Sequence, residues 1–315
     1  MRKVIGIGET ILDILFKENQ IAAAVPGGSI FNGLLSLTRL GVPVSFVGEL
    51  SEDKVGSLIL DFMKKNGIET RHISWNSNQK SPISLAFLSD KEDPTLLYYK
   101  DYTNQKLYVD LPEINADDII LFGSYYALNP ALREKTKEIL QRAKDNGAII
   151  YYDPNFRDSH KAEALKLNST IIENLEFADI VRGSLYDFEN MYQLKNSLDI
   201  YRNKVAFYCP NFICTAGSKT VDLYTSTIKK SYTPPVVKVV SAVGAGDNFN
   251  AGIIYGLLKE NIGKDELGTL SEEKWDRLIH YALLFSAEVC KDYSNSISQI
   301  FANQYLLEDT QQLLY

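Results

Sequence analysis

The chain has 315 residues, 45% hydrophobic and 23% charged, the composition of a globular protein able to bury a sizeable core. A formal net charge of -7, with no lysine or arginine run longer than two, excludes an electrostatic footprint for nucleic acid and points to a small-molecule partner. Three cysteines and three histidines form neither a CxxC pair nor an HExxH helix, and Glu9 and Asp13 break the N-terminal apolar run, so a cytoplasmic protein without a zinc site or a membrane segment is expected.

In chain order, VIGIG (4–8) reads as a buried strand running into GETILD, which puts Glu9 and Asp13 just beyond its carboxyl end. Residues 11–25 follow as short strands joined by polar turns. PGGSIFNGLLSLTRLG (26–41) predicts a helix over 29–40, with Ser29 as N-cap, Phe31, Leu34, Leu35 and Leu37 on its buried side, and Gly41 and Pro43 ending it. Gly27 and Gly28 leave room for a ligand against the backbone, and Asn32 can both donate and accept, which suits hydroxyl recognition. Strand VSFVG (44–48) and a helix over 54–66 come next, then a second set of short strands at 82–108, with Lys91–Pro94 as a hairpin signal.

The second half alternates more regularly: strands at 118–123, 148–153, 179–183 and 212–217, with helices at 131–145, 161–177 and 186–193. Tyr125 and Tyr126, after the first of these strands, either pack or stack on a ring. YDPNFR (152–157) is either an ordinary turn or a crevice lined by Asp153, Asn155 and Arg157. This alternation predicts an α/β fold: βαβ units in a mostly parallel sheet with helices on both faces and ligands beyond the strands' carboxyl ends. Without repeats or a long linker, one domain over 1–315 is expected, with a small β lid from about 11–26 and 82–108.

VVSAVGAGDNFNAGIIYGLL (239–258) places Gly244, Ala245 and Gly246 where an apolar helix begins. Helix N-termini carry unpaired N–H groups and positive dipole, so this is an anion cradle, and Asp247 beside it is either a helix cap or a base. No GxxxxGK[ST] loop occurs, and GIGETI lacks the third glycine of a dinucleotide fingerprint, which disfavours an oxidoreductase.

Taken in this order, GETILD, GGSIFN, YDPNFR, TAGSKT and VGAGDNFNAG resemble the ribokinase-type (PfkB) carbohydrate kinase family over nearly the whole chain. The resemblance implies a Rossmann-like (ribokinase-like) domain, a lid that closes over the sugar and forms homodimers, and ATP with magnesium as phosphoryl donor. It makes Asp247 the catalytic base, Gly244, Ala245 and Gly246 the anion hole, and Asp13, Gly27, Gly28 and Asn32 sugar-binding positions. Ser184 and Asp187 stand where the family has Asn-x-x-Glu, so Asp187 is the implied indirect magnesium contact. Thr215 and Gly217 match the start of the nucleotide loop, whose usual second glycine is Thr220, and Asn295 lies in the loop implied to line the adenine.

Ser241, Ala242 and Val243 replace the family's Asp-Thr-Thr, removing a carboxylate of its monovalent-cation site, which argues against potassium activation. GETxxD with DPNxR is most similar to the fructokinase and 2-keto-3-deoxygluconate kinase branch, although Asp158, Ser159 and His160 depart from its usual continuation. The implied reaction is phosphorylation of a primary hydroxyl of fructose. The alternatives are a 2-keto-3-deoxygluconate kinase, a ribokinase, a nucleoside kinase of the same fold, and a non-catalytic sugar or nucleotide sensor.

Overall fold

Four consecutive residues with no outward side chain, Val4–Ile7, form β1 in the structure, a computed structural model that describes residues 2–88, 95–100 and 105–307. Such an unbroken apolar run marks a strand covered on both faces. By contrast β2 (Ile11–Lys17) alternates buried and half-buried residues and belongs, with β3 (Gln20–Gly27), to a separate sheet. The chain continues through α1 (Ser29–Arg39), β4 (Val44–Ser51), α2 (Lys54–Lys65), β5 (Glu69–Asn76), β6 (Ile83–Leu88) and β7 (Thr95–Tyr99).

Next come β8 (Ile119–Gly123), α3 (Arg133–Asp145), β9 (Ile149–Asp153), α4 (Ala164–Phe177), β10 (Ile180–Ser184) and α5 (Leu185–Tyr192). Then follow α6 (Ser197–Ile200), β11 (Phe212–Thr215), β12 (Val221–Tyr224), β13 (Lys229–Tyr232), α7 (Ala245–Lys259), α8 (Glu272–Val289) and α9 (Gln299–Ala302).

These elements divide into two compact units. The first comprises residues up to Asp110, Val237–Lys259 and those from Leu278 onward; the second comprises Leu111–Val236 and Glu260–Arg277. In the first, β1, β4 and β5 pair in parallel in that order, and α1 buries Ile30, Phe31, Leu34, Leu35 and Leu37. Each of the larger side chains contributes about 2 kcal/mol on burial. Ser29 was the expected N-cap, but it is the first helical residue; Gly28 occupies the cap at φ 132°, where a side chain would be strained.

The same unit holds the small mixed sheet, ordered β3-β2-β6-β7, built from the two segments expected to form a lid. The hairpin signal at Lys91–Pro94 lies outside the described residues. In the second unit β8 to β11 run parallel and β12 and β13 add antiparallel at one edge. The helix expected from 161 opens as a 3-10 turn over Asp158–Glu163 and becomes α4 only at Ala164. Among the described residues, no helix is long and apolar enough to cross a membrane.

Candidate active site

The first unit gathers nine of the predicted residues into one hydrogen-bonded cluster. Asp13 lies on the buried face of β2, only 7% exposed, and Ser84 is its register partner on β6. Its Oδ1 accepts from Ser84 Oγ, and its Oδ2 accepts from Asn295 Nδ2 at 2.7 Å. Gly27 ends β3 against this pair: a Cβ there would sit 2.0 Å from Asp13 Oδ2. Gly28 next to it would meet the Glu9 carbonyl at 2.3 Å, so the chain turns into α1 with no side chain in the way.

One turn into α1, Asn32 donates from Nδ2 to Asp247 Oδ2 at 2.8 Å. Asp247 is buried, and because α7 begins at Ala245 it lies inside the first helical turn rather than at the cap. That removes the capping alternative for Asp247. Gly244 precedes the helix at φ 82°, with Asn295 O only 2.8 Å from where its Cβ would be. The first-turn N–H groups of a 15-residue helix therefore open beside a carboxylate whose orientation is fixed by an amide.

Glu9, in contrast, turns away from this cluster. It pairs with Lys100 beside a polar cavity of about 30 Å³, which also has Glu49 and Gln105 in its lining. That is room for water. Burial pushes the Lys100 ammonium down to about 7.

The second unit holds another cluster. Asp153 ends β9, buried, and its Oδ2 accepts from Arg182 Nη1 at 2.9 Å. Arg182 Nη2 donates to Thr215 Oγ1 at 2.7 Å, so the guanidinium on β10 joins the ends of β9 and β11. Burial opposes the charge of Arg182, but Asp153, Tyr151 and Asp187 together raise its pKa. The Asn155 N–H donates to Asp153 Oδ1 at 3.0 Å, with Asn155 at φ 38°.

Ser184 and Asp187 form a capping box on α5: Ser184 Oγ donates to Asp187 Oδ2 at 2.7 Å, and the Asp187 N–H donates back at 3.1 Å. Burial, and then the negative Asp153, raise the Asp187 carboxyl, while Arg157 opposes that rise. The Oδ1 of Asp187 is buried without a hydrogen-bond partner. Gly217 follows β11 in a left-handed turn, φ 58°, with open space where its Cβ would be.

Two arrangements emerge: a buried carboxylate at a helix N-terminus near a second carboxylate and two asparagine amides, and a charged cluster at the carboxyl ends of parallel strands. Residues 1–299 match the pfkB family of carbohydrate kinases. The chain belongs to that family. The 5-dehydro-2-deoxygluconokinase of Clostridium botulinum is 28% identical over 306 residues, 91% of this chain and 85% of that relative. The probable fructokinase-3 of Arabidopsis thaliana is 22% identical over 293 residues, 89% of this chain and 83% of the relative. In fold it is similar to the fructokinase of Vibrio cholerae O395, solved with fructose, ADP and calcium ion bound: TM-score 0.79, 18% identity, covering 97% of this chain and 99% of that one.

Within this pfkB kinase several residues stand elsewhere than expected. Asn295, assigned from the sequence to the adenine loop, reaches Asp13 instead. Asp153 is buried and held by Arg182, whereas Arg157 is exposed, yet both act on the carboxyl of Asp187. Tyr126 is buried, whereas Tyr125 stacks on His160 with ring centroids 3.8 Å apart. Arg182 is one residue the motifs missed. Its signal was a guanidinium inside an otherwise apolar five-residue strand, IVRGS, where only a buried counter-charge makes it tolerable.

Proposed function

We propose that this carbohydrate kinase transfers the γ-phosphate of ATP to a primary hydroxyl of a monosaccharide, with fructose as the first candidate. The observation that carries the reading is the Asn32-held Asp247 in the first turn of α7, in one cluster with Asp13 and Asn295. Asp13, Asn295 and Asn32 bind and orient the sugar hydroxyls. Asp247 then accepts the proton of the attacking hydroxyl as the new oxygen–phosphorus bond forms and the bond from the γ-phosphorus to the bridging oxygen breaks, releasing ADP. The N–H groups at Gly244–Gly246 stabilise the charge that develops on the transferred group. Thr215, Gly217 and Ser184 are the proposed nucleotide contacts.

Among the described residues no group of three or more His, Cys, Asp and Glu side chains could hold a metal on its own. That fits magnesium, which is carried mainly by phosphates and water with one or two protein carboxylates. Asp187 Oδ1 is the carboxylate oxygen that would receive it, the ion supplying charge neutralisation at the phosphates.

A second reading, 5-dehydro-2-deoxygluconate as the acceptor, is favoured by the higher identity to that kinase than to the plant fructokinase, 28% against 22%. The deciding assay is ADP release from ATP and magnesium against fructose, 5-dehydro-2-deoxygluconate, 2-keto-3-deoxygluconate, ribose and adenosine, with and without potassium. Turnover on one acceptor names the substrate. Binding without turnover on any of them replaces the kinase reading with that of a sensor.

The lid is also the proposed homodimer contact. Leu12, Ile14 and Phe16 of β2, Ile83, Leu85 and Phe87 of β6, and Leu97 and Tyr99 of β7 share the outward face of the small sheet, all half-buried or exposed. An apolar face of that extent is the mark of an interaction surface.

A further inference from the structure

We propose that Asn248 is a positioning residue that ties the anion-hole turn to the loop carrying Asn295, so that the phosphoryl-side and sugar-side groups keep one geometry. The proposal rests on the kinase reading of this site. Asn248 follows Asp247 in α7 and is fully buried. Its Nδ2 donates to two backbone carbonyls, Gly244 O at 2.8 Å and Asn295 O at 2.8 Å. Its Oδ1 accepts from Ser36 Oγ, and that hydroxyl oxygen accepts in turn from the Ile297 N–H at 3.1 Å. Donors and acceptors match by type throughout. A carboxylate of the same shape would face two carbonyls with no proton to give, and an apolar side chain would leave both carbonyls without the amide.

Helix α1 supplies the other half of the tie. Asn32, Ser36 and Arg39 recur at i, i+4 and i+7, one face of the helix. Asn32 reaches Asp247, Ser36 reaches Asn248, and Arg39 Nη1 donates to Ser296 Oγ at 2.9 Å and to Ile297 O. One helix face thus holds the base, the residue after it and the 294–297 loop. Because Asn295 also donates to Asp13, a shift of that loop moves the sugar-side carboxylate's partner together with the anion-hole turn. Misplacement by about 1 Å in such a site costs on the order of 100-fold in rate.

The test uses Asn248→Ala and Ser36→Ala, singly and together, in the full chain. Steady-state kinetics are measured with the acceptor the wild type phosphorylates, and amide hydrogen exchange is measured without ligands. Asn248→Ala is expected to lower kcat roughly 10- to 100-fold while KM for the sugar stays within about threefold. Exchange should quicken at 242–247 and 293–297 and stay unchanged in the interior of α8. Ser36→Ala should do the same more mildly, and the double variant should fall short of the sum of the two single effects, since Ser36 acts partly through Asn248 and partly by accepting from the Ile297 N–H. Unchanged kcat with both loops still protected overturns the proposal, as does faster exchange everywhere in step with a lowered Tm. A wild type silent on every sugar overturns the kinase reading instead, and the exchange pattern still decides whether Asn248 ties the two loops.

Discussion

At Asp247 the Asn32 amide holds a carboxylate in the first turn of α7, and an asparagine in its place would keep the shape and the contact with Asn32. Asp247→Asn is therefore expected to cut kcat by about 10²- to 10⁴-fold, the usual worth of a general base, while calorimetric titration with the sugar shows nearly unchanged affinity. Undiminished turnover would remove the role. Lys100 and Glu9 carry a different consequence. The folded pKa of Lys100, about 7, lies below the unfolded value of about 10.4. Between those values the native chain binds fewer protons than the unfolded one, and stability rises with pH. Glu9→Gln removes the anion in contact with that ammonium and lowers its pKa further. The variant should lose about 2 kcal/mol at pH 6, discounted because Glu9 is partly exposed, and approach the wild-type Tm by pH 9. A deficit constant across pH would show that the pair does not govern Lys100. Single residues were legible where glycine or a strand end drew attention to them, as with Asp13, Gly27, Gly28 and Asp247. Arg182, Ser36 and Asn248 were not, because polar groups inside apolar runs look like interruptions until their partners from distant segments are in place.

Helix α7 is apolar on nearly every side, which the sequence displays as FNAGIIYGLL, and its close neighbour is α8. A Cβ on Gly252 would lie 2.4 Å from Ala282 Cα, a backbone atom that cannot swing aside. Gly252→Ala gains about 1 kcal/mol of helix propensity but overpacks the contact by about 1–3 kcal/mol. A lowered Tm is expected, and a raised one would mean that the helices separate freely. Strands β1 and β8 to β11 were legible as short, continuous apolar runs. β5 (ETRHISWN) and β13 (KKSY) were not, since both are polar strands whose charges belong on a sheet edge. The start of α1 was misplaced by one residue for a related reason. Serine favours caps by propensity, but here the backbone turn needed the left-handed freedom of Gly28.

At the scale of the molecule, the outward face of the small sheet predicts association. Leu85→Lys, at its middle, should convert a dimer to a monomer in sedimentation velocity without altering the Asp13 side of the sheet, which faces the other way. A monomeric wild type would refute the lid dimer. The two-unit division carries a consequence for biosynthesis. Asp13 and Asn295 touch, yet 282 residues separate them. At translation rates of about 5–20 residues per second, a nascent chain waits roughly 15–55 s between making one partner and making the other. Leu111–Val236, most of the second unit, is synthesised entirely within that wait and can begin to order, whereas β1 to β7 must persist with the Asp13 contact unfinished. Its buried carboxylate Asp13 meets the Asn295 amide only when nearly all of the chain has emerged, so chaperone dependence should concentrate on the N-terminal segment.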